Sequence, residues 1–511
     1  MTDQPDLASG VPCDSLADGA MLVGRAGEED VLLARRGDAF FAVSAFCPHY
    51  HAPMADGLII GETIRCPWHH ACFELRTGNA TAAPALRPLQ TFRTIVDGNV
   101  VRVDPKPNTP AKAEPRTGSD RIVIIGAGAA GTFAANELRR LGHPGPVTLI
   151  SREESLPYDK PNLSKDYLAG RAPEEWIPLR SAEEYASDNI DLRLGATVQS
   201  IDASERLVHL ASGETIRFEK LILATGASPR RLDLPNDGSL TMRLLRTWND
   251  ANAIRDAAKN AKRAVVIGAS FIGLETAASL RELGLDVTVV GPEEHPLERP
   301  FGRKLATFIR TIHESRGVTF RLGRKPAAIE KGAVVLDDES RLEADLVVAG
   351  VGVTPDVALA TSAGLEADNG IVVDEFLETS VAGIFAAGDI ARFPSPRNNG
   401  SIRVEHWAAA ARQGQTAARN AMGLHEPFTA VPFFWSQHYD LVFAAVGHAT
   451  RSDDVEILGS LESTNAAAVF RDNGQITAVV TLFRDDVSLA VEAAMERGSD
   501  VEPILRAAFS A

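Results

Sequence analysis

Cys47-Pro48-His49 and Cys66-Pro67-Trp68-His69 each place a thiol and an imidazole in one short segment. Two thiolates and two imidazoles are the donor set of a [2Fe–2S] cluster in which one iron takes both sulfurs and the other both nitrogens. Tetrahedral zinc accepts the same Cys2His2 set and stands as the rival. The prolines stiffen both segments, and Trp68 could shield a cluster from water. His51, His70 and Cys72 lie close by and are read as solvated-loop or packing residues.

A second chemistry is nucleotide binding. Gly126, Gly128 and Gly131 form G-x-G-x-x-G directly after the apolar run RIVII. In such a turn the first glycine allows the bend, the second admits a pyrophosphate, and the third lets helix pack on strand. Glu153, just after TLIS, is the acid placed to bind ribose hydroxyls, although Arg152 stands where an acid is commonest. Gly268, Ser270 and Gly273 repeat the pattern with serine in the middle, a residue still small enough for close backbone approach. Gly388 and Asp389, in IFAAGDIARF, read as the closing piece of the first nucleotide site, so the second turn interrupts the first nucleotide domain.

The elements that must hold these residues follow from the patterning. Short β-type runs (DVLLARR, AFFAVS, TFRTIV) without helical period argue an all-β domain over 1–104. Residues 105–120 carry four prolines and scarcely a large apolar side chain, which predicts a semi-rigid spacer that tethers the first domain at an effective concentration on the order of millimolar. Two strand–glycine turn–helix–strand units, about 140 residues apart, predict two doubly wound α/β (Rossmann-like) dinucleotide-binding domains, one over 121–240 and 371–426, the other over 241–370. Strand-like alternation and a final helix predict a C-terminal α+β domain over 427–511.

Net charge of −16 argues against nucleic acid and anionic membrane surfaces as partners. No apolar stretch is long enough to span a membrane, and the first residues lack the pattern of a secretory signal. Four cysteines, two of them in the metal-type motif, suit a reducing compartment, the cytoplasm by default. No C-x-x-C accompanies the nucleotide turns, so no dithiol is available to accept electrons there.

The first domain resembles Rieske ferredoxins. It lacks the extra disulfide of respiratory Rieske proteins, whose positions are held by Ala52 and Trp68. With LPYDKPNLSKDYLAG, LILATGASP, GASFIGLE, GVGVTPD, VEHWAAAARQG and VPFFWSQHYDL, the whole chain resembles the Rieske-containing, apoptosis-inducing-factor-like flavoproteins, whose reductase part is similar to putidaredoxin and biphenyl dioxygenase ferredoxin reductases. The resemblance implies Cys47, His49, Cys66 and His69 as cluster ligands and FAD and NADH as further cofactors. It implies a Lys165–Glu275 pair beside the flavin N5 and Asp389 on the ribityl chain and phosphate. Thr225 and Gly226 would lie near the adenine half, and Glu405, His406 and Trp407 beside the flavin ring. The nicotinamide nucleotide would take Gly268, Ser270, Gly273 and Glu293, with NADH preferred because Glu293 and Glu294 would repel a 2′-phosphate, while Arg299 and Arg303 lie farther along on a solvated turn or helix. The implied activity is NADH-dependent electron transfer through FAD and the cluster to an external protein such as a Rieske oxygenase or cytochrome, from a possible homodimer. The alternative is an NADH-responsive interaction protein with slow turnover.

Overall fold

A computed structural model of the chain describes residues 4–109, 116, 118–398, 400–449 and 455–509. The first domain pairs a six-stranded antiparallel sheet with a four-stranded one spanning Leu58 to Ala82. Alternation along strand Glu29–Arg36 explains how one strand serves two cores: Val31 and Leu33 enter one cluster, while Leu32 and Ala34 enter the other, which holds Cys47 and Cys66. Strand Val100–Pro107 runs past the expected boundary at 104. Pro107 pairs with Phe92 beyond a register shift, a position where a residue without an N–H is tolerated. Of the expected spacer, residues 110–115 and 117 lie outside the described residues.

Strands Ile122–Ile125, Val147–Ile150, Lys220–Leu223, Ile190–Arg193 and Ile384–Ala386 form one parallel sheet. Its central strand is buried on both faces, which is why it reads as an unbroken apolar run. Strands Arg263–Ile267, Asp286–Gly291, Thr319–Leu322, Leu346–Ala349 and Met242–Leu244 repeat the same order. Each sheet carries a three-stranded antiparallel excursion, 198–217 in one and 326–343 in the other. The two differ in the fifth strand: it arrives late in the first sheet (384–386) and early in the second (242–244). A ribbon of Ala227–Pro229 against Val353–Pro355 marks both crossings between them.

Residues 433–482 form a five-stranded antiparallel sheet, covered by helix Asp485–Glu496 and followed by helix Glu502–Phe509, two helices where the pattern suggested one. Among the described residues, no helix is long and apolar enough to cross a membrane.

More than the spacer joins the first domain to the rest. Glu492 is fully buried and ion-paired to Arg412 at 2.6 Å and to Arg65 at 3.3 Å, while His70 Nδ1 lies 2.8 Å away. Arg65 also pairs with Glu496. Arg412 donates to the His70 carbonyl at 3.1 Å, and the Gln415 carbonyl accepts from the Ala83 N–H at 2.9 Å. His70 stacks on Phe433 with centroids 3.9 Å apart. Four of these partners, Arg412, Gln415, Glu492 and Glu496, lie on helix Trp407–Ala421 or helix Asp485–Glu496, so the body of the molecule builds a socket for the cysteine loops.

Candidate functional site

The two Cys/His loops share one backbone design. Cys47 N–H donates to the Ala52 carbonyl and His51 N–H to the Cys47 carbonyl; Cys66, Ala71 and His70 repeat both bonds. His51 and His70 each take the left-handed conformation that closes the turn, at φ 62° and 59°. The matched loops bring Cys47 beside Cys66 and His49 Nδ1 to 3.2 Å from His69 Nδ1. The four side chains fall into a thiol pair and an imidazole pair, the division a two-iron Rieske cluster uses. Burial pushes the His49 imidazole down to about 3, so the ring is neutral, the form that binds a metal. Of the neighbours, His51 is exposed, Cys72 is buried, and His70 is buried against Glu492 and Phe433. Trp68 is 42% exposed.

A cavity of about 1060 Å³ opens at the end of the first parallel sheet. Its glycines divide by what demands them. A Cβ at Gly126 would lie 2.1 Å from the Ala224 carbonyl oxygen, and one at Gly131 would lie 1.8 Å from that of Gly126. Both are demanded by the protein's own packing. At Gly128, the residue that precedes helix Ala129–Arg140, a Cβ would meet nothing closer than Lys160 Cε at 4.0 Å. Protein packing leaves that position free, so it offers the cavity a bare backbone at a helix N-terminus, where a pyrophosphate could approach. Gly128, Glu153, Lys165, Thr225, Gly226, Ser270, Glu275, Gly388, Asp389, Glu405, His406 and Trp407 all line this space, and Gly126 does too; Gly131, Gly268, Gly273 and Glu293 do not.

Three cations that motif reading passed over also line it, each beside an acid. Lys160 donates to Glu153 at 3.2 Å, Arg246 to Asp389 at 2.9 Å, and Arg403 to Glu405 at 2.6 Å. Burial, only partly offset by Glu153, pulls the Lys160 ammonium down to about 8. Lys160 lies inside LPYDKPNLSK and was findable there, whereas Arg246 carries no motif. Thr225 spends its hydroxyl on the Asp356 carbonyl at 2.8 Å.

Lys165 and Glu275 meet at 2.8 Å, with only 10% and 3% of their side chains exposed. Ser164 and Ser436 complete the carboxylate's partners at 2.5 and 2.6 Å. Next to Ser436, Trp435 lines the cavity on one side and packs on His69 on the other, with ring centroids 4.1 Å apart. Tyr50 reaches across the same seam to hydrogen-bond Asp159, whose carboxyl burial pushes up to about 6 against that bond and Lys165. The imidazole side of the Cys/His loops therefore abuts the wall of this cavity.

In the second glycine turn, Cβ atoms at Gly268 and Gly273 would lie 2.3 Å and 2.0 Å from backbone oxygens. Ser270 turns its hydroxyl back onto the Gly350 carbonyl at 2.7 Å, which explains how serine fits where glycine is usual. Glu293 sits beside this turn, since a Cβ at Gly291 would be 2.6 Å from Glu293 Oε2 and 3.3 Å from Ala269 Cβ. Arg303 lies on exposed helix surface near Glu294 at 3.5 Å.

Comparison with known proteins gives the same two parts. Apoptosis-inducing factor 3 of Mus musculus is 31% identical over 504 residues, covering 94% of this chain and 83% of its own. Putidaredoxin reductase CamA of Pseudomonas putida is 35% identical over 376 residues, 72% of this chain and 89% of its own. A solved structure, the covalent putidaredoxin reductase–putidaredoxin complex, superposes with a TM-score of 0.70 at 33% identity, covering 76% of this chain and 99% of that one. Residues 11–93 match the Rieske [2Fe–2S] domain. Since residues 120–414, more than half the chain, match the pyridine nucleotide-disulphide oxidoreductases, the chain belongs to that family, with a Rieske domain joined ahead of it.

Proposed function

We propose that this protein is an NADH-dependent ferredoxin-reductase-type enzyme whose electrons pass from the nicotinamide through FAD to its own Rieske centre and on to an external redox protein. The observation that carries the reading is Trp435, one ring thick between the flavin cavity and His69. FAD bound there would take a hydride from NADH and give up its electrons singly. All four cysteines lie in the first 72 residues, so the family's dithiol route has no residues to run on and the cluster is the outlet.

In this reading Lys165 holds a positive charge at the flavin and Glu275 limits the cost of burying it. Gly126, Gly128, Gly388 and Asp389 bind the FAD phosphates and ribityl chain, Glu153 the ribose, and Glu405 to Trp407 flank the ring. Ser270 and Glu293 receive NADH. The domains are 1–107, 121–240 with 371–426, 241–370 and 427–511, the first extended from the expected 104 to the end of its last strand and seated in the socket of Arg412 and Glu492. Relatives named as partners of putidaredoxin support an iron–sulfur protein as acceptor or carrier.

Cys66→Ser tests the route. FAD should stay bound and bleach with NADH, while electron delivery to a one-electron protein acceptor falls by about 100-fold or more. Delivery at the parent rate would show that electrons leave the flavin elsewhere. The relative named apoptosis-inducing factor 3, which spans both parts, favours a second reading, an NADH-responsive interaction protein. Slow turnover with an NADH-dependent change in sedimentation would select it.

A further inference from the structure

The Cys/His loops have an imidazole end and a thiol end, and the body of the molecule covers the first. The two Nδ1 atoms face each other at 3.2 Å, so Nε2 is the nitrogen each ring turns away from its partner. Nε2 of His49 is buried without a hydrogen-bond partner among the described residues. The His69 ring is covered by Trp435, with centroids 4.1 Å apart, and by Tyr50 at 5.1 Å. An external protein cannot lie against rings that this chain already covers, so it must approach from elsewhere.

The thiol end is dressed differently. Cys47 and Cys66 are buried, but Pro48 beside the one and Trp68 just after the other are both exposed. Strand Leu58–Ile60 packs against helix Asp485–Glu496 on this side. The Asp485 carboxylate is near enough to Cys66 to oppose loss of its proton, and near enough to Asp56 for the two acids to repel each other. Asp486 is paired with Arg484 at 3.0 Å, whereas no cation among the described residues pairs with Asp485 or Asp56. Phe483, just ahead of this acid pair, holds a left-handed φ of 49° that a bulky residue rarely adopts, yet 54% of it stays exposed. The strain is therefore not repaid by burial, and strain of this kind persists where function requires the position. Single apolar side chains on a surface are ordinary. Here two aromatics flank unpaired acids beside a cluster ligand.

We propose that the surface of Trp68, Phe483, Asp485 and Asp56 is where the external redox protein docks, and that this partner is a one-electron carrier whose redox centre lies in an apolar patch ringed by lysine and arginine. The proposal rests on the electron route above and names its exit: electrons enter the cluster at the imidazole end and leave at the thiol end. Each docking returns one ferrous ion to ferric and reduces one partner. Two dockings discharge one NADH, whose oxidation yields NAD+, two electrons and a proton released to solvent. The aromatics supply the apolar contact, as Trp and Tyr do at the centres of many interfaces. The unpaired acids, on a chain of net charge −16, draw in a basic partner and turn an acidic one away.

Binding and transfer are tested apart, with cytochrome c, a basic one-electron haem protein, as the probe and cytochrome b5, an acidic one, as its counterpart. With all proteins oxidised and at low ionic strength, the holoprotein should bind cytochrome c at least about tenfold more tightly than cytochrome b5. Trp68→Ala with Phe483→Ala, and separately Asp56→Asn with Asp485→Asn, should each weaken cytochrome c binding by about tenfold. Added salt should weaken the parent complex and scarcely change that of the Asn pair. Parent affinity in both double variants, or tighter binding of cytochrome b5, overturns the proposal. In stopped flow, NADH-driven reduction of cytochrome c should slow in both variants while the cluster itself is reduced at the parent rate. A cluster reduced more slowly in the aromatic variant would place those residues on the way in and refute the exit. A parent cluster that NADH leaves oxidised, with the binding losses as expected, would uphold the surface and count against the electron route alone.

Discussion

Gly128 and Gly131 look alike in the sequence and differ in what surrounds them. Alanine at 131 would drive its methyl into the Gly126 carbonyl, so Gly131→Ala should cost the fold several kcal/mol or prevent it, as overpacked contacts do. Gly128→Ala has room in the protein and should melt normally as apoprotein, with FAD affinity reduced about tenfold or more. Thermal melting with and without FAD separates the two; equal losses at both would remove the argument that the cavity binds a pyrophosphate. At the second turn, Glu293 beside Gly291 and Ala269 would face a 2′-phosphate at close range, so kcat/KM for NADH should exceed that for NADPH by at least about tenfold, and Glu293→Gln should narrow the gap. A parent preference for NADPH would contradict this. Motifs made the Cys/His loops and the glycine turns legible, because each is defined by neighbours in sequence, and the family resemblance supplied the Lys165–Glu275 pair, 110 residues apart. Arg246, Trp435 and the left-handed His51 and His70 were not, since their roles arise only when distant segments meet.

At the scale of elements, the socket on helices Trp407–Ala421 and Asp485–Glu496 decides how the Rieske domain is held. Burial alone would raise the pKa of Glu492, but Arg412, His70 and Arg65 prevail and hold it well below the usual carboxylate range. A native pKa below the unfolded value of about 4.3 gives stability that is complete above that pH and is lost as the pH falls beneath it. Docking should therefore withstand neutral and mildly acidic conditions and fail in strong acid. Glu492→Gln leaves Arg412 buried without its counter-charge, a change that costs about 3–5 kcal/mol in comparable pairs. Limited proteolysis and small-angle scattering should show the first domain released in this variant at pH 7; an unchanged profile would mean that the apolar contacts suffice. Composition put a boundary at 104, inside strand Val100–Pro107, and concealed the docking, because His70 and Glu492 stand 422 residues apart.

For the whole molecule, the two parallel sheets with their shared strand order bring Gly128 of the first glycine turn and Ser270 of the second to one cavity, and the socket places the Cys/His loops against its wall. A tether alone would let the cluster visit the flavin by diffusion; the buried Arg412–Glu492–His70 network seats it there, and the spacer becomes secondary. Electron transfer from flavin to cluster should then be an internal, first-order event. Rapid freeze-quench EPR after anaerobic mixing with one equivalent of NADH measures this directly. The reduced Rieske signal should grow with a rate constant that is the same at all protein concentrations and follows flavin bleaching by NADH, and it should slow by about tenfold or more in Trp435→Ala. A cluster that stays oxidised while the flavin is reduced, or that is reduced at a rate proportional to protein concentration, would contradict a cluster seated at the flavin as the outlet for its electrons.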